Sequence, residues 1–266
     1  QIPSLNITND AGLIDLKTLI LKWNLKPLQL SLESKVKADY LDLNRLLILL
    51  NIGDLPLELF LKGDLACGGP LYPDLQFKCG GKIHGDSLEI RKGPLVKDTI
   101  VRLDEMGASG DFTVTSKNIS YNADVQVKDD QGRSEGVISF ADGFKISFFT
   151  PRFQFKNLRY LVGLKLEGEA HLEGNTQGDS HAATLDMNIN GKDLFLSQFY
   201  LGQAQTSLNY KKGILTFKNL VGKIGGSEYK ANVEVDAVQS LIQVDGGAEK
   251  ADVKEIMSAF QRLVQL

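Results

Sequence analysis

One four-residue stretch, Gly85-Asp86-Ser87-Leu88, has the form of a motif that surrounds the nucleophilic serine of some esterases. Such a serine needs a histidine base that an acidic residue orients, and these enzymes set the acid and the histidine three residues apart. Neither His171 nor His181 has an aspartate three positions before it. Ser87 also lies in a stretch of alternating polar and apolar residues. The sequence therefore predicts a turn followed by a strand here, not a nucleophile.

The remaining residues that could do chemistry do not form a recognisable set. His84, His171 and His181 are far apart in sequence and show no metal-ligand spacing. Acidic pairs such as Glu167 and Glu169 alternate with apolar residues, as on the solvated face of a strand. No phosphate-binding glycine motif occurs. We expect a protein that is not an enzyme and that has no cofactor and no metal site.

The composition of the chain excludes further classes of protein. The chain has 266 residues, a net charge of -3 and charges of mixed sign, so it lacks the basic stripe of a nucleic-acid-binding protein. It contains no apolar run of about 18 residues that would span a membrane as a helix. We interpret it as a segment of a longer chain, and any anchor is then expected outside the segment.

The two cysteines, Cys67 and Cys79, flank a Gly-Gly-Pro-Leu-Tyr-Pro stretch. Two strands of a hairpin could place them opposite each other. An oxidised pair in an exporting compartment and two buried free thiols are both compatible with this arrangement.

Alternating apolar residues dominate most of the chain, and Leu208 to Asp236 is the clearest example. Leu215 and Phe217 alternate there with polar residues, and so do the positions from Tyr229 to Val235. This period predicts strands with one apolar and one polar face. We interpret the stretch as four short strands. Similar turn signals recur down the chain, so the predicted fold is mainly β: a long, strongly curved antiparallel sheet.

Two short amphipathic helices interrupt this pattern. The first is predicted over residues 39–52, with Asp42 as a candidate N-cap. The second is predicted over 249–266, with Asp252 and Glu255 as a capping-box pair. A Lys-Ala-Asp triplet precedes each helix, which suggests a repeat. The whole chain is then one continuous segment, with strands over 1–38 and a strand array over 55–245.

Several strands are more apolar than one packed face requires. A closed sandwich or barrel core would explain them. A sheet that curls without closing would instead expose an apolar concave face, and large exposed apolar patches usually bind something. The side chains that we expect to line such a groove are Leu57, Leu59, Leu61, Leu65, Phe144, Ile146, Phe148, Leu215, Phe217, Val233 and Val235.

Three parts of the sequence resemble the AsmA/TamB-like family. They are the starts of the two predicted helices, the pattern of an apolar strand, a glycine and a second apolar strand at residues 57–65, and the block at 208–236. That resemblance implies a long β-sheet bent into an open, taco-like trough with a hydrophobic interior. It also implies a periplasmic protein, anchored in the inner membrane, that carries phospholipid toward the outer membrane and has phospholipid acyl chains and the two membranes as partners.

Two other functions remain as alternatives. The same family is tied to outer-membrane protein assembly, so the segment could be a scaffold that works with an outer-membrane assembly barrel. A structural or adhesive β-solenoid at a cell surface would also be rich in strands, although its coils would repeat at near-constant length. A protein that binds nucleic acid is not expected.

Overall fold

The computed structural model describes residues 2–49, 57–91, 99–161, 165–179, 182–236, 239, 241–249 and 251–260. The fold is mainly β, one open antiparallel sheet of 16 strands with two short helices. The strands are β1 Ile2–Asn9, β2 Gly12–Leu25, β3 Leu28–Asp42, β4 Leu57–Tyr72, β5 Gln76–Arg91, β6 Thr99–Thr115, β7 Asn118–Val127, β8 Asp130–Ser139, β9 Gly143–Gln154, β10 Leu158–Leu161, β11 Leu166–Gly178, β12 Ala183–Leu196, β13 Phe199–Lys211, β14 Ile214–Ile224, β15 Ser227–Asp236 and β16 Leu241–Glu249.

The strands follow one another across the sheet in chain order, each antiparallel to the next. The exception is β10, which pairs with β6 instead of lying between β9 and β11. A 3-10 turn at Phe155–Asn157 leads from β9 into this crossover. Pairing of consecutive strands within one sheet differs from the stacked coils of a β-solenoid.

Several glycines that were expected to mark turns lie inside strands instead. Gly174 and Gly178 belong to β11, and the predicted turn and strand at residues 85–88 lie entirely within β5. The stretch 208–236 forms three strands, β13 to β15, and not four. A Cβ atom on Gly174 would lie 2.4 Å from the Asp186 carbonyl oxygen and 2.8 Å from Cζ of Phe148. This glycine therefore allows a close approach of the neighbouring backbone and of a side chain, which is a second reason for glycine in a strand.

Both helices are shorter than predicted. The first, α1, spans Leu43–Leu49 and begins after residue 39 because β3 continues to Asp42. Asp42 is its N-cap, since Oδ1 accepts a hydrogen bond from the Arg45 amide at 3.1 Å. The second, α2, spans Val253–Ser258, because residues up to Glu249 belong to β16. The predicted ends at 50–52 and 261–266 lie outside the described residues.

Asp252 caps α2 as predicted, but Glu255 does not complete a capping box. The Asp252 side chain accepts a hydrogen bond from the Lys254 amide at 2.7 Å. The Glu255 carboxylate instead reaches the turn between β14 and β15, where it accepts from the Gly226 amide at 2.9 Å and from the Ser227 hydroxyl at 2.6 Å. This helix is therefore attached to the end of the β14–β15 hairpin.

The first helix is attached in a similar way to the turn between β1 and β2. The Asp42 amide donates to the Ala11 carbonyl at 2.7 Å, and the Arg45 guanidinium donates to the Asp10 carbonyl at 3.1 Å. Because β1 and β14 run in the same direction in the antiparallel sheet, the β1–β2 and β14–β15 turns lie at the same end of the strands. Each helix is thus hydrogen-bonded to a hairpin turn at the same end of the strands, and the repeat stays a prediction.

Candidate functional site: the apolar face of the sheet

One row of directly paired residues crosses the main path of the sheet from β1 to β16 without a single charged side chain. Paired residues on neighbouring strands point to the same face, so these residues define what we call the apolar face. They are Leu5, Leu16, Val36, Leu65, Gly81, Gly110, Ala123, Ser134, Phe148, Gly174, Met187, Leu208, Phe217, Val233 and Val244.

The neighbouring row has the opposite character and defines the polar face. From β1 to β14 it consists of Asn6, Asp15, Lys37, Asp64, Lys82, Ser109, Asp124, Arg133, Phe149, Glu173, Asn188, Ser207 and Lys218. A shift of one residue thus changes the row from apolar to charged. The period of two that was visible in the sequence separates the two faces of the whole sheet.

The predicted lining residues whose side chains are described all belong to the apolar face. Phe148, Phe217 and Val233 lie in the row above, as does Leu65, and Leu59 and Leu61 alternate with Leu65 along β4. Phe144 and Ile146 precede Phe148 at two-residue intervals on β9, and Ile146 belongs to the parallel row that ends in Leu215 and Val235. Leu57 is the first residue of β4, and its side chain lies outside the described part of the structure.

Burial divides this face into two regions. Leu215 is 0% exposed and Phe217, Val233 and Val235 are 5% exposed, because they belong to a cluster that also contains residues of β6, β10 and β11 to β13. These four candidates form packed core and do not line an accessible groove. The sheet must curl toward its apolar face to bury them. On β4 and β9 the candidates are only half-buried: Leu59, Leu61, Leu65, Phe144, Ile146 and Phe148.

The β9–β10 crossover contributes deeply buried side chains to this core. Phe155 and Leu161 are each 2% exposed and pack in one cluster with Ile100 of β6. Asn157 fixes the crossover, since its side-chain amide donates to Asp130 Oδ2 at 2.7 Å, and both residues are buried. The crossover thus lies between the half-buried strands up to β9 and the packed core of β11–β15, and the apolar face is exposed again at Val244 of β16.

Polar atoms on the accessible region are bonded within the protein. The Tyr121 hydroxyl lies 2.9 Å from the Ser134 hydroxyl, which donates to the Ser147 carbonyl at 3.1 Å. Burial raises the pKa of the Tyr121 phenol. The Tyr121 ring stacks near Phe112 with 6.2 Å between centroids. Neither aromatic residue was among the predicted lining residues, although their alternation with polar neighbours was visible in the sequence.

A disulfide joins Cys67 to Cys79 on the apolar face. The two residues are directly paired between β4 and β5. This is the oxidised alternative of the two that the sequence left open. The hairpin turn lies beyond Tyr72, so the glycines next to Cys67 belong to the strand and not to the turn.

Among the described residues, those that could do chemistry do not converge, and His181 lies outside the described ranges. Ser87 lies inside β5, and the nearest partner of His84 is the Asp86 carboxylate at 3.9 Å. Within the described ranges, no three His, Cys, Asp or Glu side chains come close enough together to hold a metal ion. No helix of the described part has the length and apolar character needed to cross a membrane.

Comparison of the chain with protein-family models, with curated proteins and with solved structures finds no match.

Proposed function

We propose that the apolar face binds phospholipid acyl chains, and that the protein shields or transports lipid between membranes without catalysing a reaction. The observation that carries this proposal is the uncharged row that runs from β1 to β16 and stays half-exposed on strands such as β4 and β9. The AsmA/TamB-like resemblance of the sequence points the same way. A closed core would explain the β11–β15 region but not the half-exposed one.

The energetics of acyl chains suit such a surface. Each methylene that leaves water for an apolar environment gains about 0.8 kcal/mol, so an acyl chain of ordinary length is strongly retained. The gain is spread over many weak contacts, and a chain can therefore slide along the face. The headgroup stays in water because the sheet is open.

The cellular location is also part of the proposal. Disulfides persist in oxidising compartments, which include the bacterial periplasm, and the Cys67–Cys79 bond favours such a place. We propose a periplasmic protein that works between the inner and outer membranes.

The proposal is tested by native mass spectrometry of the purified protein, followed by extraction and identification of bound lipid. Phe148→Glu places a charge on the apolar face, while Phe149→Glu makes the same change one residue away on the polar face. A buried unpaired charge is strongly unfavourable. We expect roughly tenfold less bound phospholipid in Phe148→Glu, which corresponds to about 1.4 kcal/mol, and unchanged lipid in Phe149→Glu.

Circular dichroism of both variants checks that each one is folded. A wild-type protein that carries no phospholipid and cannot be loaded with a fluorescent phospholipid would contradict the proposal. Equal loss of lipid in both folded variants would also contradict it, because the binding surface would then not be the apolar face.

A further inference from the structure

The polar face carries a shallow groove that crosses the strands from β7 to β14. Its volume is about 720 Å³, and its lining includes Phe149, Glu173, Asn188 and Ser207. These four residues belong to consecutive strands of the polar row. Most of its lining residues lie on the polar face, which the proposed lipid-binding function does not use, and a few residues of the apolar row, such as Phe148 and Met187, also contribute to the lining.

Hydrogen-bonding side chains line this groove at regular intervals. β11, β12 and β13 present carboxylates, amides and hydroxyls at every second position, and neighbouring strands repeat at about 4.8 Å. A second groove of about 610 Å³ lies beside the first on the same face, where Asn190, Gln203 and Gln205 continue the series of amides. The array is longer than either groove alone.

Some of these groups are oriented by each other and some are available. The Ser207 hydroxyl donates to Asn188 Oδ1 at 2.8 Å, and the Asn209 amide donates to Asp186 Oδ1 at 2.5 Å. Among the described residues, the side chains of Glu173 and Asn175 have no hydrogen-bond partner in the protein. The carboxylate of Glu173 can accept hydrogen bonds from a ligand, and the amide of Asn175 can both donate and accept them.

Phe149 is the aromatic residue that the polar row contributes to the groove. It is 41% exposed in a row that is otherwise polar. Its ring meets the edge of His171 with 5.1 Å between centroids. An aromatic ring beside a row of amides offers an apolar surface to C–H groups and hydrogen bonds to the polar rim of the same ligand.

We infer that this groove binds a neutral glycan, with a sugar ring against Phe149 and hydroxyls bonded to the amides and carboxylates of β11 to β13. The lining carries charges of both signs, so an anion would meet the carboxylates of Glu135, Glu173 and Asp186. A cation would meet Arg133 and Lys218. A peptide could not add as a strand, because β9 and β11 to β14 are already paired on both sides. Recognition must then come from side chains, which suits a polyol.

The test is isothermal titration of the whole protein with maltohexaose, cellohexaose and chitohexaose. Phe149→Ala removes the aromatic ring, and Val137→Ala is the matched control. Val137 is also 41% exposed and lies outside the groove, on the same polar face through its pairing with Lys145 and Ser120. We expect at least one sugar to bind and its affinity to fall roughly tenfold in Phe149→Ala, because the variant loses the aromatic contact; this fall corresponds to about 1.4 kcal/mol.

Affinity in Val137→Ala is expected to equal that of the wild type. Both sites are on the surface, so both variants should melt like the wild type. Failure of all three hexasaccharides to bind would overturn the inference. So would binding that Phe149→Ala leaves unchanged, or an effect of this substitution on a neutral peptide and on none of the sugars.

Discussion

The hydroxyl of Ser227 is one of the groups that join α2 to the sheet. Ser227 is 0% exposed. Its Oγ accepts from the Asp252 amide at 2.8 Å and donates to the Glu255 carboxylate at 2.6 Å. The buried Ser227 hydroxyl thus binds two groups at the start of α2, and the position of α2 depends in part on the ionised Glu255 carboxylate.

This contact predicts a pH dependence. The hydrogen bonds from the Ser227 hydroxyl and the Gly226 amide hold the pKa of Glu255 below its ordinary value of 4.5. A carboxylate with a lowered pKa in the folded state stabilises that state above pH 4.5, and the contribution is lost as pH falls through the folded value. We therefore expect Glu255→Gln to speed hydrogen exchange of the Gly226 amide near neutral pH, with a difference from wild type that shrinks below pH 4.5.

The measurement is the ratio of variant to wild-type exchange rates at each pH, which removes the intrinsic pH dependence of exchange. Glu249→Gln, on the exposed strand β16, is the control and should give a ratio near one throughout. A Glu255→Gln ratio that stays constant from pH 7 to pH 3 would refute the role of the ionised carboxylate.

Glycines inside the strands decide how closely neighbouring strands and side chains approach. At Gly110 a Cβ atom would lie 2.2 Å from the Asn122 carbonyl and 2.6 Å from Cα of Ala123. Tyr229 covers Gly222 so closely that a Cβ there would overlap its ring. The Tyr229 hydroxyl donates to the Leu201 carbonyl at 2.7 Å, and burial raises its pKa to about 12.

Two alanine substitutions test this role of glycine. Gly110→Ala must displace the backbone of β7, and we expect it to lower the free energy of unfolding by about 1–3 kcal/mol. Gly247→Ala, also in a strand, has nothing within 4 Å of the new Cβ, and it should be neutral or stabilising by up to about 1 kcal/mol. Urea unfolding measures both, and equal effects would contradict the account.

Sequence reasoning identified the period of the strands better than their ends. Alternation around Leu215 and Phe217 depends on local residues only, so it predicted a mainly β fold correctly. The predicted strand ends were wrong at positions such as Gly174. A glycine marks a turn at one position and a close contact with a neighbouring strand or side chain at another. Local pattern cannot distinguish these without the partner strand.

The candidate site shows the same division between local and distant causes. Alternation placed Leu65 and Phe217 on one face, as the structure has them. It could not predict that Phe217 is packed while Leu65 stays half-buried, since this depends on the crossover that brings Leu161 under the later strands. Nor did any sequence signal indicate that β10 would leave its place and pair with β6.

At the scale of the molecule, the sheet is open and both terminal strands are exposed along their whole length. Leu5 and Ile7 of β1, both on the apolar face, are about two-fifths exposed, at 42% and 39%. The sheet thus passes from exposed apolar residues at β1, through the half-buried region, to the packed core at β11–β15. A ligand chain would meet a continuous apolar surface that ends at that core.

The most direct test of this account is photo-cross-linking to phospholipid along adjacent positions. A photoreactive phenylalanine analogue is placed singly at Asp64, Leu65, Lys145 and Ile146, in protein incubated with radiolabelled phospholipid vesicles. Leu65 and Ile146 lie on the apolar face, and Asp64 and Lys145 lie beside them on the polar face. We predict strong labelling at Leu65 and Ile146 and little at their neighbours. Equal labelling of both faces, or none at Leu65 and Ile146, would contradict the proposed lipid-binding face.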